Sequence, residues 1–264
     1  MIAMVRVARA EFRRLASPTY LLSAVALPTF FAALTTWLTF DAASGGTAGG
    51  TPPGGKVVTT VTLAKETGFL EGVSQSFTFL GVIAVVLAAM SVATDYTQGT
   101  LRNLLVRQPS RWRVLGGKLV ALAGLVSASA IAASLAGTVT AFAMASTTGV
   151  STSAWNMAEL APRIFGLAAG LFGWASIGAL LATVLRSVPA AIGIGIGWAL
   201  PVEAIVGGAW KAGKSWFPGG VFEAIAAAGN DTLTLQRAVA VGSVYLVIAI
   251  AANLVLFTRR EVTA

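Results

Sequence analysis

Two residue types are missing from this chain of 264 residues: it has no cysteine and no histidine. Disulfides, thiolate nucleophiles, Cys or His metal ligands and imidazole acid–base catalysis are excluded together. Charge is also scarce, at 11% of residues, where soluble domains carry about 25%. Acids are the scarcest charged class, ten against eighteen cations, which leaves a net charge of +8. A membrane enzyme made from this chain would have to work with Asp, Glu, Lys, Ser or Tyr, and few of these fall inside the apolar runs.

What is present is apolar. Hydrophobic residues make up 56% of the chain and mean hydropathy is +0.81, the composition of an integral membrane protein. The cations collect at the ends of apolar runs, where membrane orientation and lipid headgroups account for them. No block of Lys and Arg sits on a soluble domain, and a nucleic-acid partner is discounted. The expected fold is an all-α integral membrane domain over residues 1–264, with six spans near 19–40, 73–94, 117–145, 162–185, 190–207 and 238–257.

Residues 1–17 read as an interfacial helix ahead of the first span. Val5, Ala8, Phe12 and Leu15 form a narrow apolar stripe, with Arg6, Arg13 and Arg14 opposite, the pattern of a basic helix lying in the interface. A signal peptide is disfavoured, because the run after Pro18 is too long for its apolar core. Pro28 is a candidate kink in the first span. Ser127, Ser134 and Thr138 share one face of the third span, and Gly166, Gly170 and Gly173 are closely spaced in the fourth. Both patterns suit close helix packing.

Two glycine-rich stretches imitate nucleotide-binding motifs and are rejected. Gly50 to Val57 has the outline of a P-loop, but Val57 replaces the Mg²⁺-binding hydroxyl, two prolines remove N–H donors and no strand precedes it. It reads as an external loop. Gly193, Gly195 and Gly197 lack the strand–helix setting and acidic partner of a dinucleotide fingerprint. Residues 208–237, rich in Trp, Lys, Pro and Gly, read as a broken external segment of short interfacial helices.

Six spans put both termini on one side. With the N-terminus inside, twelve cations fall in the cytoplasm and six outside, while seven of the ten acids fall outside or at the outer end of span five. The excess of internal cations favours this orientation.

The central loop, 95–116, supplies much of that excess. Leu101, Leu104 and Leu105, with Gln108 one turn on, share a face of a short helix, while Arg102 and Arg107 lie off it. Pro109 ends the helix, and Arg111, Trp112 and Arg113 return the chain to the membrane surface. The layout Asp95, Gly99-Thr100, Leu104-Leu105, Pro109-Ser110-Arg111 and Gly117-Lys118 resembles the first cytoplasmic loop of ABC-2-type permeases, the membrane subunits of bacterial ABC exporters. The resemblance implies that 1–17 is an elbow helix and that the loop is a cytoplasmic coupling helix between helices 2 and 3. That helix would dock on a separate ATPase through Asp95, Gly99, Thr100, Leu101, Arg102, Leu104, Leu105, Arg107, Pro109, Arg111 and Lys118. It also implies two ATPase copies carrying ATP and magnesium, no cofactor on this chain, a second permease copy or paralogue, and a bacterial plasma membrane location with both termini cytoplasmic. The pathway would run between permeases along spans one, two and five. Glu203, an acid in an apolar run, and Gln75 and Thr78 in span two are the candidate pathway residues.

Other function classes fit the sequence less well. A membrane enzyme lacks a pair of titratable groups at matching depth in the spans. A secondary transporter would show inverted repeats or several intramembrane charges, and the sequence shows neither. An ATPase-independent channel or a membrane assembly factor is the remaining alternative. The substrate is not encoded in any motif.

Overall fold

A computed structural model describes residues 2–15, 17–45, 57–98, 110–210, 213 and 215–259. The described residues form helices and connections with no strand. Six helices are long and apolar enough to cross a membrane. The chain begins with α1 (Ile2–Leu15) and the first span, α2 (Pro18–Ala43). The short α3 (Thr60–Leu63) and α4 (Glu71–Gln75) lead into α5 (Phe77–Thr97), the second span. Next come α6 (Arg111–Thr148) and α7 (Leu160–Leu185). The fifth span, α8 (Val188–Ala209), is followed by α9 (Pro218–Ala226) and the sixth span, α10 (Leu235–Arg259).

Local chemistry explains the irregular places. In α2 a π-helical stretch covers Leu22–Ala26, just before Pro28. Proline has no N–H, so the carbonyl four residues earlier, that of Ala24, loses its helical donor. The Ser129 hydroxyl on α6 donates to that carbonyl instead, and both residues are buried. Pro201 sits in a second π-helical stretch, Trp198–Val202, within α8. Span two is broken near its N-terminal end. The Ser74 and Ser76 hydroxyls donate to the carbonyls of Leu70 and Val73, and α5 starts afresh at Phe77.

The sequence expectation starts span three near Gly117, whereas α6 runs unbroken from Arg111. Nothing after Pro109 interrupts the helix, and Lys118 is one of its most buried residues. At 38 residues α6 is about 57 Å long, well beyond a hydrocarbon core of about 30 Å.

The main core joins α5, α6 and α7, with α9 folded back among the helix ends. Gly166, Gly170 and Gly173 turn toward α9 within this same chain. A Cβ at Gly170 would stand 2.7 Å from the Phe222 carbonyl oxygen, and one at Gly173 would stand 2.5 Å from the Phe222 ring. The glycine spacing therefore admits a neighbouring segment of its own chain, and Phe222 is buried by it.

A second cluster caps the end remote from α1. Phe40, Leu63, Phe69 and Leu70 pack with Ala141, Ala145 and Val150. Trp155 closes the cluster. Its ring meets those of Phe40, Phe69 and Phe142, and its Nε1–H donates to the Leu63 carbonyl at 2.8 Å. The polar stretch before span two is thus pinned over the ends of α2 and α6.

Candidate functional site

The end of the bundle that carries α1 holds a cluster of charges away from water. α1 lies along the first turns of α6. Leu15 is buried, and the Phe12 ring approaches Gly124, where a Cβ would stand 3.3 Å from it. This packing turns Glu11, one helical turn before Leu15, inward as well, and Glu11 is 4% exposed. The acid has a partner there. Lys118, from the third turn of α6, points its ammonium at Glu11 Oε1, 2.9 Å away.

The same ammonium lies 2.6 Å from Asp95 Oδ2, and Arg14 reaches Asp95 Oδ1 at 2.6 Å. Arg14 is also 3.9 Å from Glu11. Both cations donate at 3.3 Å to the Ser91 carbonyl, one turn before Asp95 on α5. Two cations and two carboxylates make a neutral set, the condition under which buried charge is tolerated. Lys118 and Asp95 are each 1% exposed. At Arg14 burial works against the charge, but Asp95 and Glu11 outweigh it and hold the guanidinium pKa above its ordinary value.

Three further contacts bind this end. The Arg186 guanidinium, in the left-handed turn between α7 and α8 (φ 52°), lies over the Tyr96 ring at 5.7 Å. Tyr96 in turn meets Phe257 of α10 edge to face. Arg111 donates to the Phe257 carbonyl at 3.1 Å, a cation satisfying the last carbonyls of a helix. The last turn of α5 and the first turns of α6 are thereby tied to α1, to the α7–α8 turn and to the end of α10.

Of the residues assigned to docking on an ATPase, Asp95, Arg111 and Lys118 are described, and the structure brings all three into this set of contacts. Gly99, Thr100, Leu101, Arg102, Leu104, Leu105, Arg107 and Pro109 lie outside the described residues. Glu11, Arg14, Tyr96 and Arg186 are functional candidates that sequence reasoning passed over. One signal was available for the first of them: Glu11 is the sole acid in the first forty residues.

The three pathway candidates do not form one site. Gln75 is buried in α4, whereas Thr78 is exposed on α5. Glu203 is half-buried at the other end of the bundle. Its Oε1 accepts from Trp198 Nε1 at 2.7 Å and from the Gly219 backbone N–H at 3.0 Å, in the first turn of α9. A carboxylate there satisfies orphan amides and the helix dipole.

The model of the family described as ABC-2 family transporter protein matches residues 5–213, well over half of the chain. No curated protein sequence matches it.

Proposed function

Because the chain belongs to the ABC-2 family of transporter proteins, a family of membrane transport components, we propose that it is the permease subunit of an ATP-driven exporter, coupled to a separate ATPase through residues 99–109. The observation that carries this reading is the way both feet of that stretch are held. On one side Asp95 and Tyr96, on the other Arg111 and Lys118, are fixed to each other and to three other parts of the bundle, α1, the α7–α8 turn and the end of α10. A segment that receives a push must pass it to the spans without yielding at its base. A buried, neutral ion cluster does this better than exposed pairs, which are worth only about 0–1 kcal/mol.

In this reading Leu101, Leu104 and Leu105 fill a groove on the ATPase, and Arg102 and Arg107 meet its acidic rim. The clustered end faces the cytoplasm of a bacterial plasma membrane, on the side that collects twelve of the eighteen cations. ATP and magnesium belong to the partner, in two copies. A second permease, identical or related, completes the pathway. In the single chain α2 and α8 present large apolar side chains outward, Leu22, Phe30 and Ile205 among them, and these faces suit lipid or a second copy. Glu203, Gln75 and Thr78 remain the residues offered for the pathway, with Glu203 at its outer mouth.

The test is co-purification. Leu104→Asp with Leu105→Asp should abolish capture of the ATPase chain that the wild-type protein retains, while membrane insertion is unchanged. If the double variant retains the ATPase as well as wild type does, docking through this helix is wrong. If the wild-type protein retains none, the coupled reading fails as a whole.

A further inference from the structure

Around Glu203 the structure places aromatic rings as well as hydrogen-bond donors. The Phe217 ring stands nearly perpendicular to two tryptophans, at 87° to Trp198 with centroids 6.4 Å apart and at 80° to Trp210 with centroids 6.0 Å apart. The three rings form an open corner. Trp198, whose Nε1–H holds Glu203 Oε1, is 42% exposed, and Trp210 is 55% exposed. A second carboxylate, that of Glu223 on α9, is near enough to Glu203 to interact with its charge. Among the described residues no cation forms an ion pair with Glu203. Acidic groups beside exposed aromatic faces complement an organic cation, since ring faces and carboxylate both attract positive charge. The same aromatic belt already holds one cation of the chain: the Arg237 guanidinium lies over the Trp216 ring at 5.4 Å.

We propose that Glu203, Trp198, Phe217 and Trp210 form a binding site for a hydrophobic organic cation, a substituted ammonium or phosphonium, at the outer end of α8. The inference rests on the transporter reading, which it deepens by giving the pathway's outer mouth a ligand class. The carboxylate supplies the charge and the rings supply faces for its apolar substituents. Ammonium chemistry could also come from a zwitterionic lipid headgroup, so the two sources have to be separated.

The experiment uses the full-length protein in nanodiscs of phosphatidylglycerol, which carries no ammonium. Tetraphenylphosphonium is titrated while tryptophan fluorescence is followed, with tetraphenylborate as the anionic counterpart of equal shape. Glu203→Gln is the informative variant. Its amide oxygen can still accept from Trp198 and Gly219, so the cap on α9 survives while the charge is lost. Saturable phosphonium binding that weakens about tenfold or more in Glu203→Gln, and severalfold in Trp210→Leu, supports the site. Repeating the titration in phosphatidylcholine identifies the source. Competition there makes the lipid headgroup a ligand of the same site, and its absence leaves the free cation alone. Equal affinity in wild type and Glu203→Gln, equally tight saturable binding of tetraphenylborate, or no saturable phosphonium binding would overturn the proposal. None of these readouts involves the ATPase, so a negative result leaves the docking test to stand or fall separately.

Discussion

Lys118 and Asp95 meet across the base of the central loop, Nζ to Oδ2 at 2.6 Å, although 23 positions separate them in sequence. The loop therefore leaves and re-enters the bundle at one buried point, and α1 is fastened to that point by Glu11 and Arg14. α1 is thus part of the base of the loop as well as a surface helix.

Removing Lys118 should be the most damaging single change at this end. Lys118→Met keeps the length of the chain but leaves Glu11 and Asp95 buried with Arg14 alone. Breaking one partner out of a buried set costs about 3–5 kcal/mol. The expected outcome is a large fall in thermal stability in detergent, with partial recovery when Glu11→Gln is added, because the second change removes the orphaned charge. A double variant no more stable than Lys118→Met would show that the orphaned Glu11 charge is not the source of the loss.

Much of the architecture is legible in the sequence because spans are long and apolar, and six of them stand out above any local ambiguity. Asp95, Arg111 and Lys118 are legible as the flanks of a loop, since each interrupts or borders an apolar run. Their convergence is not legible, because which helix ends meet depends on bundle geometry that no spacing encodes. Glu11 was hidden for a related reason. The apolar stripe of α1 marks the buried side through Leu15, but a lone acid beside it reads as solvated until a cation 107 residues away is placed against it. Glu203, by contrast, stands out as an acid in an apolar run, whereas its bond to the first turn of α9 depends on a fold-back within the 208–237 segment.

Arg14→Lys should be milder than Arg14→Ala. A guanidinium can serve the Asp95 carboxylate and the Ser91 carbonyl through different nitrogens, as it does here, while a shorter ammonium serves them less completely. The expected order of melting temperature is wild type, then Lys, then Ala. If the proposed coupling is right, stimulated ATPase activity in the reconstituted complex falls in the same order. Stability without any change in ATPase coupling would confine the cluster to a structural role.

Trp155→Ala should loosen the cap at the opposite end. The indole packs against three rings and supplies a donor to the Leu63 carbonyl, and truncating a large aromatic in such a setting costs about 3–5 kcal/mol. The loss should be local. Limited proteolysis ought to cut between residues 57 and 70 much faster than in wild type, while the spans stay protected. Unchanged cleavage there would mean that α2, α6 and the segment's own apolar residues hold it without Trp155.

Ser129→Ala tests the repair of the proline break in α2. The hydroxyl donates to the Ala24 carbonyl, which Pro28 leaves without its helical donor, and hydrogen bonds between spans are worth about 0.6 kcal/mol on average and up to about 2. The value expected here is at the upper end, because Ala24 is fully buried and Pro28 offers its carbonyl no N–H. Pro28→Ala should by itself restore the helical donor and relieve the need for Ser129. The double variant, Ser129→Ala with Pro28→Ala, should accordingly be more stable than Ser129→Ala alone. If adding Pro28→Ala gives no recovery in thermal unfolding, the hydroxyl is not standing in for the missing amide, and the irregularity in α2 has another cause.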